Sequence, residues 1–298
     1  MWMPRLTCPA CGTPLLPASI PARCDACGAL VRERDGILRC ASEDRLARAA
    51  AFLDQYRAVR RADGHAFRSI EEYRALPSVS PTAANADEWR IRQQSLDTLL
   101  QAFATARRSA RVLDVGAGNG WLSQRLTVLG HAVVALDLND DAEDGLGVAS
   151  ASRVAFPRVQ AGFEQLPFDD SQFDVVVFNA SLHYADAPAS VLAEGRRMLA
   201  DGGALVVMDS PIFARACDGE RMVEEQLTGL ASRYSVTSPV PCGRGFLTHE
   251  ELAGMAALFG MAATFTRSAG PWPWRLRRAW SAARLGRRPA MFGVWVAR

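Results

Sequence analysis

The chain has 298 residues, enough for one large domain or for a main domain with a small one beside it. Apolar residues make up 49%, the net charge is +2, and no stretch approaches 18 uninterrupted apolar residues. With no N-terminal apolar run followed by a cleavage site, these features predict a globular, cytoplasmic protein without a transmembrane helix. All 34 basic residues are arginines, which excludes chemistry that needs a lysine.

Two C-x-x-C-G motifs near the N-terminus contain four of the seven cysteines. Each motif presents two thiolates from a tight turn, and two facing turns would form the four-sulfur tetrahedron that Zn²⁺ prefers. Disulfide bonds are the alternative, which the absence of a secretion signal disfavours. The spacing predicts a closed, structural zinc site whose ligands are Cys8, Cys11, Cys24 and Cys27.

A small ribbon domain (residues 1–40) and a helical lid region (41–107) are predicted before the main domain. Asp35-Gly36 predicts a hairpin turn within the ribbon. The first predicted helix runs from the N-cap Ser42 to about Arg61, and its expected apolar face comprises Leu46, Ala50, Leu53 and Tyr56. The second runs from Asp87 to about Arg107, and its expected apolar stripe comprises Leu96, Leu99, Leu100 and Phe103.

From residue 108 to residue 298 the pattern predicts an α/β domain with a mainly parallel sheet. The strand-like runs RVLDV, AVVALD, FDVVVFN and GALVVMD alternate with helical stretches. Two further strand-like segments, MAATFTRS and AMFGVWVAR, follow near the C-terminus. A basic, Trp/Arg-rich insertion at about residues 267–289 separates these two segments.

The segment VLDVGAGNGWLSQRL (residues 112–126) predicts a glycine-rich turn between a buried strand and a helix. Its glycines read G-x-G-x-G, whereas the dinucleotide-binding fingerprint requires a glycine at the position of Trp121. A P-loop requires a lysine, and the chain has none. The loop therefore matches neither of these nucleotide-binding motifs.

Two aspartates near this loop indicate a different ligand. Asp137 ends the second predicted strand, where a carboxylate can accept both hydroxyl protons of a ribose. Asp114 precedes the first glycine, where a negative charge would orient an ammonium group and repel a phosphate. S-adenosylmethionine fits both observations, because it has a ribose and an ammonium group but no phosphate.

Residues 111 to about 210 resemble the class I S-adenosylmethionine-dependent methyltransferases of the methyltransferase type 11 kind. VLDVGAGNG, VVALDLN, FEQLPFDDSQFDVVVFNASLHY and MLADGGALVV carry the resemblance. It implies a Rossmann-like α/β fold with a mostly parallel seven-stranded sheet, to which the zinc ribbon and the helical lid are added. The N-terminal segment CPACG…CDACGALVRERDGIL is similar to short zinc-ribbon modules that are found alone or fused ahead of methyltransferase domains. Some large-subunit rRNA guanine methyltransferases also have an N-terminal zinc ribbon, which helps to bind RNA.

The resemblance also implies a cofactor site. Gly116 and Gly118 would line the methionine moiety, Asp137 the ribose, and Leu138 one face of the adenine. Phe163 and Glu164 would lie at the adenine edge, although Gly162 stands where the family often has an aspartate. The complete predicted set is Asp114, Gly116, Gly118, Asn119, Gly120, Asp137, Leu138, Phe163, Glu164 and Asn179.

The residues that follow the fourth and fifth strands are candidates for catalysis, because ligands of α/β proteins gather at the carboxyl ends of the strands. They are His183, Tyr184 and Asp209. Methyl transfer mainly requires positioning, and a base is needed only when the acceptor must lose a proton of high pKa. A general-base role and a packing role both stay open for His183.

Four residues before the main domain lie where the family usually has its substrate lid. They are Tyr56, Tyr73, Trp89 and Arg90.

The predicted activity is methyl transfer to a small molecule or biosynthetic intermediate, at oxygen or nitrogen rather than carbon. The alternatives are an rRNA or tRNA base methyltransferase that uses its zinc ribbon to bind RNA, and a cofactor-binding interaction protein without transferase activity. The segment 267–288 has seven arginines and no acidic residue, so the net charge would be −5 without it. Its part 272–288 could contact a membrane as a peripheral surface, meet RNA, or form a solvated face.

Overall fold

A computed structural model describes residues 2–15, 21–66, 69–104, 109–234, 239–240 and 243–298. The strands are β1 (Ala22–Arg23), β2 (Leu30–Arg34), β3 (Ile37–Arg39), β4 (Arg111–Val115), β5 (Ala132–Asp137), β6 (Arg158–Gln160), β7 (Phe173–Asn179), β8 (Leu199–Met208), β9 (Ile212–Phe213), β10 (Leu247–Thr248), β11 (Ala263–Arg267) and β12 (Gly293–Ala297). The helices are α1 (Glu43–Ala62), α2 (Ile70–Ala75), α3 (Ala86–Ala104), α4 (Trp121–Val128), α5 (Pro188–Met198), α6 (Ala216–Tyr234), α7 (His249–Leu258) and α8 (Trp272–Arg284). Short 3₁₀ turns lie at Leu146–Ala151 and Leu182–Tyr184.

The central sheet has the order β1-β2-β3-β6-β5-β4-β7-β8-β12-β11. All neighbours from β3 to β8 are parallel, whereas the pairs at the two ends of the sheet are antiparallel. The predicted α/β architecture with a mainly parallel sheet is confirmed. Strands β9 and β10 form a separate parallel pair.

The described sheet has ten strands rather than the expected seven. The hairpin of β2 and β3 turns at Asp35-Gly36, as predicted, and β3 pairs in parallel with β6, from Ile37 opposite Arg158 to Arg39 opposite Gln160. An uncovered β6 would present unpaired N–H and C=O groups, and the N-terminal hairpin covers that edge. The N-terminal segment thus continues the central sheet.

The hydrophobic core lies on both faces of the sheet. Val112 packs on one face with Leu99 of α3 and Leu122 of α4, and Leu113 packs on the other face with Val134 of β5. Successive side chains of a strand point to opposite faces, so a strand covered on both sides needs consecutive apolar residues. This requirement explains the continuous apolar run in β4.

The two predicted helices before the main domain are present, with one error in the first. Ser42 is the N-cap of α1, and its hydroxyl accepts a hydrogen bond from the Arg45 N–H at 3.2 Å. Ala50 was predicted on the apolar face but is exposed, because α1 turns Ala49 and Leu53 towards the core. In α3, Leu96, Leu99 and Phe103 are buried and Leu100 is half-buried, as predicted. The predicted end of that helix at Arg107 lies outside the described residues.

The Trp/Arg-rich insertion forms α8, which connects the antiparallel strands β11 and β12. Of the helices that the structure describes, none combines the length and the apolar character needed to cross a membrane.

Candidate functional site

The glycine loop lies at the carboxyl end of β4 and is fixed to the neighbouring strand β5. The N–H groups of Gly116 and Ala117 donate to the Leu136 carbonyl at 2.8 and 3.0 Å. Gly116 has a φ of 71°, and a Cβ there would lie 2.2 Å from the Cβ of Ser181, so only glycine fits. Around Gly118, in contrast, no heavy atom of the described residues other than its chain neighbours lies within 4 Å of where a Cβ would be. The loop therefore has open space on the side of Gly118.

The Asp137 carboxylate lies directly beside this loop. One of its oxygens accepts a hydrogen bond from the Gly118 N–H at 2.7 Å, and the other accepts one from the Asn139 N–H at 2.7 Å. Burial raises the pKa of Asp137 to about 6, against the effect of these two hydrogen bonds. Because a carboxylate oxygen has more than one acceptor position, both oxygens can still accept a hydrogen bond from a ligand.

Asp114 is fully buried beneath the loop. Its Oδ2 accepts a hydrogen bond from the Ser123 hydroxyl at 2.7 Å, whereas its Oδ1 has no partner among the described residues. Burial, together with the negative charge of Asp137, raises the pKa of Asp114 to about 7. A buried acceptor without a donor costs free energy, so a cationic donor at this position would be stabilising.

The predicted adenine side lies against α1. Glu164 forms an ion pair with Arg45, and a Cβ at Gly162 would lie 2.6 Å from the Glu164 carboxylate and 2.9 Å from the Arg45 Nε. A side chain at position 162 would require the ends of the flexible Glu164 and Arg45 side chains to shift. Phe163 packs against the core and Leu138 is half-buried.

At the carboxyl ends of β7 and β8, two buried oxygens have no hydrogen-bond partner in the part of the chain that is described. They are Asn179 Oδ1 and Asp209 Oδ2. The other Asp209 oxygen accepts a hydrogen bond from the Ser95 hydroxyl at 2.5 Å, and burial raises the pKa of Asp209 to about 6. Ala180 and Asp209 have φ values of 51° and 55°, which non-glycine residues rarely adopt. Such backbone strain often accompanies a binding site.

His183 lies at the same end of the sheet but is buried. Its Nδ1 is 3.2 Å from the Ser210 hydroxyl, and its ring centroid is 4.1 Å from that of Tyr184. Burial lowers the pKa of His183 to about 3. The imidazole is therefore neutral near physiological pH, and it is a weaker base than an exposed histidine.

Helix α1 covers this end of the sheet with aromatic and basic side chains. Phe52 and Tyr56 contact Tyr184, with centroid distances of 6.0 and 5.8 Å. Arg60 donates two hydrogen bonds to the buried Asp144, at 2.5 and 3.0 Å. Burial raises the pKa of the Tyr56 hydroxyl to about 12, so this group stays protonated.

Sequence reasoning missed several of these contacts. Arg57 donates to the Asn139 side chain at 2.9 Å, and Ser95 orients Asp209 from α3. The sequence did contain a signal for the contacts of α1 with residues 139–144. Arg57 and Arg60 share one helix face, and residues 139–144 read NDDAED, which is a mostly acidic segment. No local pattern marked Ser95.

The other candidates for a substrate lid are divided between a cavity and the surface. Tyr73, Trp89 and Asn119 line a cavity of about 510 Å³ beside the glycine loop. Arg90 is exposed and forms an ion pair with Asp87 at 3.0 Å. The predicted lid side chains therefore do not all face one site.

The four N-terminal cysteines converge. The Sγ atoms of Cys8 and Cys27 are 3.5 Å apart, those of Cys11 and Cys24 are 3.6 Å apart, and all four lie within 4.8 Å of one another. With Zn–S bonds of about 2.3 Å, the edges of a tetrahedral site measure about 3.8 Å. The cluster has the dimensions and the donor chemistry for Zn²⁺.

Residues 113–207 match the family described as a methyltransferase domain. A malonyl-[acyl-carrier protein] O-methyltransferase from Enterobacter lignolyticus is 31% identical over 175 residues, which cover 59% of this chain and 62% of that protein. An uncharacterized methyltransferase from Mycobacterium tuberculosis is 38% identical over 112 residues, covering 38% of this chain and 42% of that protein. The chain thus spans less than two thirds of the length of these relatives.

Among solved structures, the chain is similar to magnesium protoporphyrin IX methyltransferase from Synechocystis PCC 6803 with bound S-adenosylmethionine. The TM-score is 0.51 at 14% identity, and the match covers 86% of this chain and 97% of that one. This similarity shows that the fold is the Rossmann-like fold of class I methyltransferases. The matched family and both of these relatives are described as methyltransferases, and the family match lies within the α/β part of this chain.

Proposed function

We propose that the protein transfers the methyl group of S-adenosylmethionine to a small molecule or a biosynthetic intermediate. The contact between Gly118 and Asp137 is the observation that carries this proposal. It joins the open side of the glycine loop to a carboxylate that can accept two hydroxyl protons. Neither a dinucleotide fingerprint nor a P-loop lysine is present in the sequence.

In this proposal the buried polar groups at the sheet edge hold the cofactor, whose sulfonium supplies an activated methyl group. Asp137 accepts the ribose hydroxyls, and Gly116, Gly118, Asn119 and Gly120 shape the cradle for the methionine moiety. Asp114 contributes negative charge towards the ammonium group, and its unpartnered Oδ1 supports this role. Leu138, Phe163 and Glu164 form the adenine side, and Asn179 faces the methionine end.

The acceptor is proposed to be methylated at oxygen or nitrogen. The Enterobacter relative is named for O-methylation of malonyl-[acyl-carrier protein], which is an intermediate carried on a protein. His183 is neutral and buried, so it suits a positioning role. In this proposal Tyr184 and Asp209 would help to position the acceptor. An acceptor atom that is already nucleophilic needs no base.

Structural zinc at Cys8, Cys11, Cys24 and Cys27 belongs to the same proposal. Four cysteines leave no open coordination position, so the metal would stabilise the ribbon and take no part in the transfer. The division into a ribbon (1–40), a helical region (41–107) and a catalytic domain (108–298) is likewise proposed.

The experiment is calorimetry with S-adenosylmethionine and with NAD, followed by incubation of the protein with radiolabelled cofactor and fractionated cell extract. We expect binding of S-adenosylmethionine alone and label in a small-molecule or carrier-protein fraction. Label in an RNA fraction would support a base methyltransferase in place of the proposed acceptor class. Cofactor binding without transfer to any fraction would support a binding protein, and comparable binding of NAD would contradict the cofactor assignment.

A further inference from the structure

Helix α8 presents an apolar stripe to solvent. Trp272, Leu276 and Trp280 are 66%, 50% and 64% exposed. Their spacing of four residues aligns them on one side of the helix. A surface helix of a globular protein normally turns such a stripe towards the core. In α8 the apolar stripe faces the solvent instead.

The opposite side of α8 attaches it to the protein. Trp274, Arg278 and Ala282 follow the same spacing of four residues and point inward. The Trp274 ring lies 6.3 Å from Phe292, and the Arg278 guanidinium stacks on both rings at 4.5 and 4.8 Å. Ala282 is buried. The inward side of α8 therefore attaches the helix to the rest of the protein, and the apolar stripe is not needed for this attachment.

Arginines flank the apolar stripe on both sides. At 100° per residue, Arg275 lies on one side of the stripe, and Arg277 and Arg284 lie on the other. Arg277 forms an ion pair with Asp87 at 2.5 Å, and Arg284 stacks on Trp280 at 4.7 Å. No aspartate or glutamate occurs after Glu251 in the sequence. Asp87 offsets the charge of Arg277, so the positive charge beside the stripe comes from Arg275 and Arg284. The surface that α8 presents is thus both apolar and positively charged.

We infer that α8 docks this face onto the surface of an anionic lipid bilayer. The side chains of Trp272, Leu276 and Trp280 enter the boundary between headgroups and acyl chains. Tryptophan is enriched at that depth, and the flanking arginines reach the anionic headgroups from either side. The charges on both sides of the stripe complement such a surface.

Two other occupants fit these observations less well. RNA phosphates would engage the arginines, but they would leave Leu276, at the centre of the stripe, without an apolar partner. A second copy of the chain would place one set of arginines opposite another at a two-fold interface, and a single helix stripe offers less area than the roughly 800 Å² per partner of a stable interface.

The test is sedimentation of the full-length protein with vesicles of phosphatidylcholine, with and without phosphatidylglycerol. We expect binding only to the anionic vesicles, and weaker binding as the salt concentration rises. The variant Trp272→Ser/Trp280→Ser should bind roughly tenfold more weakly or worse. The variant Arg275→Gln/Arg284→Gln should lose roughly fivefold per arginine.

The matched control is Leu258→Ser, which removes an apolar side chain that is 75% exposed on α7. It should bind vesicles as the unchanged protein does. All these positions are exposed, so the unfolding midpoint of each variant should stay close to that of the unchanged protein. Acyl chains labelled with bromine should quench tryptophan fluorescence, and the double tryptophan variant should lose this quenching.

Three results would overturn the inference. They are equal vesicle binding by the double tryptophan variant, binding to RNA but not to anionic vesicles, and self-association through Trp272 and Trp280 without vesicle binding. Binding of S-adenosylmethionine is measured separately and should be the same in all variants. The docking inference and the proposed activity can therefore fail independently.

Discussion

Replacing Asp137 by asparagine should weaken binding of S-adenosylmethionine while changing the free energy of unfolding by less than about 2 kcal/mol. The Asp137 carboxylate accepts hydrogen bonds from the N–H groups of Gly118 and Asn139, each at 2.7 Å. Burial nevertheless raises its pKa from 3.8 to about 6. The folded protein is therefore less stable with Asp137 ionised than it would be with a neutral side chain at this position.

The effect on stability follows from two opposing contributions. Because one pKa unit corresponds to 1.36 kcal/mol, the ionised carboxylate costs the fold about 3 kcal/mol at pH 7, and asparagine removes that cost. Asparagine has only one carbonyl oxygen, so one of the two backbone N–H groups loses its acceptor, which costs about 1–3 kcal/mol. The free energy of unfolding should therefore change by less than about 2 kcal/mol.

The effect on affinity has no such compensation. Two ribose hydroxyls would lose their charged acceptor, which corresponds to about 1.5–3 kcal/mol, or roughly a tenfold to hundredfold weaker affinity. Calorimetry measures the affinity and denaturant unfolding measures the stability. The control Asp140→Asn removes a carboxylate three residues away that pairs with Arg39, and it should bind the cofactor normally. Unchanged affinity in Asp137→Asn would refute the ribose assignment.

Three further outcomes are expected. Metal analysis should find about one zinc per chain, and Cys24→Ser/Cys27→Ser should release it and loosen β1 to β3 while the rest of the sheet stays folded. Retained zinc in that variant would contradict the ligand set. His183→Ala should cost about 1–3 kcal/mol of stability but little turnover per folded molecule, and a turnover loss of roughly 100-fold would instead indicate a general base. Burial lowers the pKa of His183 to about 3, so the neutral imidazole stabilises the fold fully above pH 6.5, and this stabilisation is lost as the pH falls towards 3. The unfolding midpoint of the unchanged protein should therefore fall more steeply with decreasing pH than that of His183→Ala.

Most of the central architecture was predictable, because its signals are local in the sequence. Continuous apolar runs identify buried parallel strands, and β4, β5 and β7 agree with RVLDV, AVVALD and FDVVVFN residue for residue. The Ser42 cap was predictable for the same reason, since a hydroxyl before a helix satisfies a free N–H. The meeting of Asp137 with the glycine loop followed from topology, because parallel strands end at one edge.

Contacts between distant segments were not predictable. The pairing of β3 with β6 joins residues more than a hundred positions apart, and each strand has only three residues. No periodicity marks such short strands, so nothing in the sequence indicated that the predicted hairpin at Asp35-Gly36 joins the central sheet. The error at Ala50 has a similar origin. Helix α1 binds the loop at residues 139–144 through Arg57 and Arg60, and apolar periodicity alone could not orient a helix held by polar contacts.

The polar groups left unsatisfied in the fold are informative about where its ligand lies. Elsewhere buried acids are paired, as Asp144 is with Arg60. At the carboxyl edge of the sheet, in contrast, Asp114, Asn179 and Asp209 each have a buried oxygen without a partner among the described residues. Burial also raises the pKa of Asp114 and Asp209. Folding alone gives no reason to keep unpaired acceptors together, because each costs free energy. A ligand that brings hydroxyl and ammonium donors to this edge would supply the missing partners, and the same groups would then account for both its affinity and its orientation.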